Sequence, residues 1–245
     1  SPITGMFFSV EVLLKKMTLR TVGVSLTMST IAMLIGSLVK GFQPYYILHD
    51  MTFTLTSFIF ILILAPLTGL AGGFFRRFFQ WAEKNQTKSK SILWQLPAIA
   101  LMTGLVAYFF PEIMGNGRSL AQFAINSQQM HLVVVLVCGA LLKVIITVLT
   151  IRAGAAGGTL TPSIAVGSAL GAVLVLLLNF FLPGVSVGQG AILGAGTLLA
   201  ASQQAPFMAM FMLIEITHLN YSALLPLALG IIISSAVSRK VLSKS

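Results

Sequence analysis

The stretch R-A-G-A-A-G-G-T-L-T-P-S, residues 152–163, decides how this chain folds. It places six small residues between an apolar run that ends at Arg152 and a second apolar run that starts near Thr159. Gly157 and Gly158 let the backbone turn and approach a ligand closely. Pro162 is typical of the first turn of a helix, where its missing N–H group removes no hydrogen bond. The stretch therefore predicts a break between two helices, with the second beginning at residues 159–161.

The start of this second helix is a candidate anion-binding site. The first N–H groups of a helix have no partner within the helix, and they carry the positive end of its dipole. At membrane depth they can bind an anion without fixed positive side chains, which would hold it too tightly for rapid passage. The candidate residues are Gly158, Thr159, Leu160, Thr161 and Pro162. The same small residues are also typical of a kink that lets two membrane helices pack, and their spacing does not separate the two interpretations.

The composition around this stretch predicts an all-α, polytopic membrane protein. Hydrophobic residues make up 57% of the 245-residue chain and charged residues only 8%, whereas soluble domains carry about a quarter of charged residues. Residues 153–214 contain no Asp, Glu, Lys, Arg or His. Because a helix needs roughly 20 apolar residues to cross the hydrocarbon core, this run alone accommodates two or three passes. We therefore expect a multi-pass protein of the cell membrane.

The other uncharged runs predict further spans, together with helices too short for an upright crossing. The predicted spans are 21–39, 51–75, 91–111, 130–151, 159–182 and 221–242, and the shorter helices are 2–14, 119–128, 188–202 and 206–217. We expect the run 51–75 to end at Arg76 and Arg77. Lys143 lies deep within its span, so we expect it to pair inside the protein. Short, broken helices of this kind are typical of transporters, where they surround a cavity lined by protein.

The net charge of +10 is better explained by topology than by nucleic-acid binding. The basic residues gather within 15–20, 76–90 and 239–244, next to the ends of apolar spans. An excess of Lys and Arg in short loops marks the cytoplasmic side of a membrane protein. We therefore predict no nucleic-acid partner, and we place these three clusters on one side of the membrane.

Two segments of the chain share one pattern in the same register. Residues 1–12 and 205–216 both read small, Pro, x, x, small, Met, Phe, x, x, aliphatic, Glu, aliphatic. We interpret them as matching helices of two inverted structural repeats, a common plan in transporters. Residues 1–50 are then the end of the first repeat and residues 51–245 the second, with the N-terminal part of the first repeat expected before Ser1. Glu11 and Glu215 occupy matching places, and for Glu11 a proton pathway and a structural carboxylate are both open.

Several motifs, in order, resemble the CLC chloride channels and proton/chloride exchangers. The segment G-T-L-T-P at 158–162 resembles the family's G-x-F-x-P signature. The P-E of residues 111–112 followed by G-N-G at 115–117 resembles the loop before a short helix of that family. The segment L-L-A-A-S at 198–202, followed by A-P at 205–206 and E-I-T at 215–217, resembles its A-A-x-x-x-A-P and E-M-T elements. The resemblance covers essentially the whole chain, as about the C-terminal three-fifths of a CLC membrane domain.

The resemblance implies a function and a set of contacts. The N–H groups of Thr159 and Leu160 would face the transported chloride, with Leu160 standing where the family usually has Phe. Val12 occupies the position of the exchangers' proton-relay glutamate, as in channel members, so a voltage-gated channel and an antiporter both remain open. The family's serine loop and gating-glutamate loop would precede Ser1, and its anion-contacting tyrosine would follow Ser245. Members are homodimers embedded in lipid, and a dimer would use 21–39 and the last two helices. The apolar residues expected there are Leu224, Leu227 and Ile231.

Other classes of protein fit the sequence less well. A different inverted-repeat secondary transporter could use the same broken helix for an anionic organic substrate. An enzyme is not expected, because no Asp lies within a span and no Ser has a nearby base at a recognisable spacing. A membrane scaffold would leave the break and the repeat unexplained. We predict no cofactor and no metal, because Cys138 is a lone cysteine and His49, His131 and His218 have no ligand spacing.

Overall fold

The computed structural model describes residues 1–48, 53–179, 181 and 183–243, and ten α-helices lie within them. A π-helix, Phe8–Leu14, continues α1, and two 3-10 helices, Pro111–Ile113 and Tyr221–Ala223, precede α5 and α10. The α-helices are α1 Pro2–Phe7, α2 Leu19–Lys40, α3 Leu55–Lys84, α4 Ile92–Phe109, α5 Arg118–Asn126, α6 Leu132–Arg152, α7 Leu160–Leu178, α8 Val187–Gln203, α9 Pro206–Thr217 and α10 Leu224–Ser243.

Six of these helices are long and apolar enough to cross a membrane: α2, α3, α4, α6, α7 and α10. They correspond to the six spans predicted from the uncharged runs. The helices α1, α8 and α9 are shorter, as the sequence predicts, and α8 is buried almost entirely within the chain. Together they make the chain a multi-pass integral membrane protein. Residues 51 and 52 of the run predicted at 51–75, and residues 180 and 182 of the run predicted at 159–182, lie outside the described residues.

The third helix differs from its prediction, because it does not end at the pair of arginines. It continues through Arg76 and Arg77 to Lys84. Both arginines bind backbone carbonyl groups of neighbouring elements: Arg76 donates to the carbonyl oxygen of Ser202 at 2.9 Å, and Arg77 donates to that of Val241. Arginines on the side of a helix that faces the protein can donate hydrogen bonds to neighbouring elements. They therefore need not mark the end of the helix.

The centre of the fold is α8, which packs against α7, α3 and α10. Its start is fixed by a capping box, in which the Ser186 hydroxyl accepts from the Gln189 N–H and the Gln189 side chain accepts from the Ser186 N–H. Glycine permits the closest contact, because a Cβ atom at Gly171 would lie 1.9 Å from the carbonyl oxygen of Gly190. Small residues at such crossings let helix backbones approach, which is how membrane helices gain packing energy.

The last helix buries the face that the sequence assigned to a second subunit. Leu227 is fully buried and Ile231 is 3% exposed, because both side chains pack within this chain. A Cβ atom added at Gly196 on α8 would lie 2.6 Å from Leu227. The prediction that Leu227 and Ile231 meet a twin subunit is therefore wrong. The outer face of α10 is instead carried by Leu225 and Ile232, which are 73% and 66% exposed.

Candidate anion-binding site

The break before α7 depends on a different glycine from those expected. Gly154 has a φ of +108°, and a Cβ atom there would lie 2.2 Å from the side chain of Ile92. Only glycine fits this position without strain. Gly157 and Gly158 do not have positive φ, and a Cβ atom at either would meet nothing within 4 Å. The turn thus requires Gly154, while Gly157 and Gly158 leave the approach to α7 open.

The first turn of α7 presents unpaired N–H groups. Its first backbone bond runs from the Ser163 N–H to the Thr159 carbonyl oxygen at 3.1 Å. Within the described parts of the chain, no acceptor is recorded for the N–H groups of Leu160 and Thr161, and Pro162 has none to offer. Ser163 turns its hydroxyl back to the carbonyl oxygen of Leu160 at 2.6 Å. Two donors at the positive end of a helix dipole are therefore available to a ligand.

A cavity of about 910 Å³ opens beside this turn. Gly158, Leu160, Thr161 and Pro162 line it, together with residues of α4 and α6 and of the loop that precedes α5. Among the residues that the structure describes, the lining contains one charged side chain, Lys143, and no carboxylate. The helix terminus and the ammonium group both carry positive charge, so the electrostatic potential in the cavity favours an anion.

Lys143 pairs inside the protein, as the sequence predicts for a charge at that depth. Its ammonium group donates to the carbonyl oxygens of Ile113 at 3.0 Å and Gly115 at 2.6 Å. Both acceptors lie in the loop before α5. The neighbouring Gly117, with a φ of +103°, packs against α7, where a Cβ atom would lie 2.9 Å from that of Ala165. Lys143 therefore holds this loop, and with it the start of α5, against the first turns of α7.

Thr159 faces a second, smaller cavity of about 290 Å³ on the other side of the turn. The side-chain amide of Gln203 donates to the Thr159 hydroxyl at 3.0 Å, which ties the end of α8 to the start of α7. Arg76 lines the same cavity and binds the Ser202 carbonyl oxygen. The sequence does not predict Gln203 and Arg76 as neighbours of the site. The pair of glutamines that interrupts the apolar run near residue 203 was the available signal.

Glu11 binds the start of α9, the helix that carries Glu215, and Glu215 binds the start of α1, the helix that leads to Glu11. The Glu11 carboxylate accepts from the N–H groups of Phe207 at 3.3 Å and Met208 at 2.7 Å, in the first turn of α9. The Glu215 carboxylate accepts from the N–H groups of Ile3 at 3.0 Å and Thr4 at 2.7 Å, in the first turn of α1. Each carboxylate thus caps a helix N-terminus, where negative charge is favourable.

These contacts follow the sequence repeat residue by residue. The register that aligns Glu11 with Glu215 also aligns Ile3 with Phe207 and Thr4 with Met208, so the two caps are related by exchange of α1 and α9. Phe7 aligns with Phe211 in the same register, and their rings stack at 4.9 Å with an angle of 2°. Each contact made by a residue of α1 with α9 thus has a matching contact made by a residue of α9 with α1. Two helices related by a two-fold axis are expected to contact each other in this way.

The histidines and the cysteine are not gathered into a metal site in the described residues. No group of three or more His, Cys, Asp or Glu lies close enough together there to hold a metal ion. His218 adopts a left-handed conformation after the end of α9, with a φ of +52°. His49 lies outside the described residues.

With this geometry in view, the chain can be compared with known proteins. A family model described as "Voltage gated chloride channel" matches residues 1–239. The chain belongs to the voltage-gated chloride channel (CLC) family. The family assignment agrees with the order of the motifs at residues 111–117, 158–162 and 198–217.

Curated members of the CLC family are similar over nearly all of the chain. The "Voltage-gated ClC-type chloride channel ClcB" of Salmonella typhimurium is 28% identical over 249 aligned residues, which cover 98% of this chain and 58% of the relative. The protein with the same description from Escherichia coli O81 is 28% identical over 247 residues, with the same coverage. The chain thus spans about 58% of the length of the curated relatives it matches.

Solved structures show that the fold is that of CLC proteins. A slow cyanobacterial Cl⁻/H⁺ antiporter matches with a TM-score of 0.81 at 23% identity, over 98% of this chain and 57% of its own. A CLC-type fluoride/proton antiporter matches with a TM-score of 0.71 at 22% identity, over 99% and 59%. A eukaryotic CLC transporter matches with a TM-score of 0.76 at 19% identity, over 98% and 41%.

Proposed function

We propose that the protein containing this chain carries chloride or a similar small anion across the membrane, and that it is not an enzyme. The observation that carries the proposal is the first turn of α7, whose N–H groups at Leu160 and Thr161 are free beside a cavity without carboxylates. Family membership supports it, since the curated relatives are described as chloride channels. The anion would bind the backbone N–H groups of Leu160 and Thr161, within the stretch 158–162, with Lys143 adding positive charge nearby.

Chloride efflux from liposomes tests this function. We expect liposomes that contain the full-length protein to release chloride faster than protein-free liposomes, because backbone N–H groups can bind an anion without retaining it. Recording pH in the same liposomes separates two mechanisms: a channel moves chloride alone, and an antiporter moves protons in the opposite direction. Efflux no faster than from protein-free liposomes would refute the proposal. Transport of an organic anion without transport of chloride would favour the alternative, a secondary transporter of an anionic organic substrate.

Two structural repeats would supply the framework for this transport. We infer that residues 1–50 end the first repeat and that residues 51–245 form the second, as the matching segments suggest. The exchange-related caps of Glu11 and Glu215 support this division, because each carboxylate binds the helix that matches its own. The same pairing supports a structural role for Glu11 rather than a proton pathway, since both of its oxygens accept backbone N–H groups of α9.

We also infer that the protein is a homodimer in the membrane and that the outer faces of α2 and α10 form its interface. Leu225 and Ile232 on α10 and Ile35 on α2 are each at least 60% exposed in the chain. We expect a single cysteine at Ile232 to cross-link two full-length subunits, while a cysteine at Leu101 on α4 does not. Cys138 is replaced by alanine in both variants. Equal cross-linking at the two positions, or none at either, would contradict this interface.

A further inference from the structure

A narrow apolar groove runs between α3 and α6. It has a volume of about 570 Å³, and every residue that lines it is apolar. Phe74 and Phe78 of α3 form one wall and are about half exposed, and Leu141 and Ile145 of α6 form the other and are more than half exposed. Ala71 of α3 also lines the groove. The groove therefore exposes a continuous hydrocarbon surface, which needs an apolar occupant.

The length of the groove matches one leaflet of a bilayer. Its lining on α6 extends from Val137 to Leu149, which is about 18 Å at a rise of 1.5 Å per residue. One leaflet contributes half of the ~30 Å hydrocarbon core. An extended acyl chain that reaches through one leaflet therefore matches the groove in length.

The groove leads to an aromatic and a basic side chain. One turn beyond Phe78 and Leu149, the guanidinium group of Arg152 lies 5.1 Å from the ring centre of Trp81. Both side chains are exposed. The end of α3 with Lys84, and the following segment with Lys88, are tied to this place because the Thr87 N–H donates to the Arg152 carbonyl oxygen at 2.9 Å. Trp with basic residues is typical of the membrane–water interface, where lipid phosphates lie.

We propose that this groove binds an anionic phospholipid, with one acyl chain between α3 and α6 and its phosphate at Arg152. The apolar walls bind the chain, and the guanidinium forms paired hydrogen bonds to phosphate oxygens. The lysines at 84 and 88 add attraction for a headgroup with net negative charge, which distinguishes phosphatidylglycerol from phosphatidylcholine. The groove lies on the face of α6 that carries Leu141 and Ile145, whereas Lys143 and the α7 terminus line the separate cavity of the candidate anion site.

Native mass spectrometry of the full-length protein with phosphatidylglycerol or phosphatidylcholine tests the proposal. We expect phosphatidylglycerol to be retained preferentially, and Arg152→Gln to lower its retention about fivefold, as for loss of one basic contact. Arg239→Gln, which removes an exposed basic residue near the end of α10, is the matched control and should change little. Ala71→Leu places a larger side chain in the lining of the groove and should reduce retention of both lipids, whereas Ala98→Leu, on the exposed side of α4, should not.

Two outcomes would overturn the proposal. One is equal retention of the two lipids that neither Arg152→Gln nor Ala71→Leu changes. The other is a density map of the full-length protein in phosphatidylglycerol nanodiscs in which a protein segment fills the groove. A tubular density between α3 and α6 that ends at Arg152 would support it. These measurements do not depend on chloride flux, so their failure and the failure of the proposed transport function are distinguishable.

Discussion

Replacing Glu215 by glutamine is expected to lower the free energy of unfolding of the full-length protein by about 2–4 kcal/mol. Its carboxylate accepts from the N–H groups of Ile3 and Thr4 and from the Thr4 hydroxyl at 2.5 Å. A glutamine offers a single acceptor oxygen, and its NH₂ group faces donors instead of acceptors. The variant therefore loses charge-assisted bonds and leaves the N-terminus of α1 partly uncapped.

The thermal unfolding midpoint of the purified protein in detergent measures this effect. Glu112→Gln is the matched control, because it makes the same chemical change in the short helix Pro111–Ile113, away from α1 and α9. We expect Glu215→Gln to melt well below both the parent and Glu112→Gln. If Glu215→Gln instead melts with them, the recorded bonds to α1 do not stabilise the fold.

Glu11→Gln extends the same prediction to the exchange-related cap. Glu11 accepts two bonds where Glu215 accepts three, so we expect a smaller loss of stability. Both caps stabilise the same interface between α1 and α9. The double variant should therefore lose less stability than the sum of the losses in the two single variants. Strictly additive losses would show that the two carboxylates act independently and that α1 and α9 are not held as one unit.

The sequence predicts which two helices match, but it does not predict the hydrogen bonds between them. The shared pattern of residues 1–12 and 205–216 predicts matching helices with matching glutamates. Hydropathy likewise located the six spans, since a run of apolar residues is a direct signal of a crossing. That each carboxylate reaches the opposite helix depends on how α1 and α9 pack. A tertiary arrangement of that kind leaves no local pattern in a single sequence.

The details that the sequence did not predict are also tertiary. The sequence predicts the end of a span at Arg76 and Arg77, yet each donates to a carbonyl group on another element and the helix continues. The face of α10 that packs inward could not be told from the face that points outward, because a buried face and a lipid-facing face are equally apolar. The glycine that adopts positive φ before α7 is Gly154, which a run of small residues does not single out.

Replacing Leu160 by glutamate is expected to reduce chloride flux at least about 100-fold, the equivalent of about 3 kcal/mol. Leu160 lies in the first turn of α7 and lines the cavity of the candidate site. A carboxylate there repels an incoming anion in surroundings of low dielectric constant. It can also accept from the free N–H groups of the turn, in the manner of an N-cap, and so occupy the donors that the anion needs.

One companion variant separates the effect of charge from that of shape, and a second separates the side chain from the backbone. Chloride efflux is measured for these two variants and for Leu160→Glu, from liposomes containing equal amounts of full-length protein. Leu160→Gln has the size of the glutamate without its charge, so it should retain most of the flux. Thr159→Ala removes the hydroxyl that Gln203 binds but keeps the backbone N–H, so it should transport close to the parent rate. Efflux that survives in Leu160→Glu, or that is lost in Thr159→Ala, would show that the backbone donors at the start of α7 do not bind the transported ion. A side-chain hydroxyl would then be the group to examine, because it is what Thr159→Ala removes.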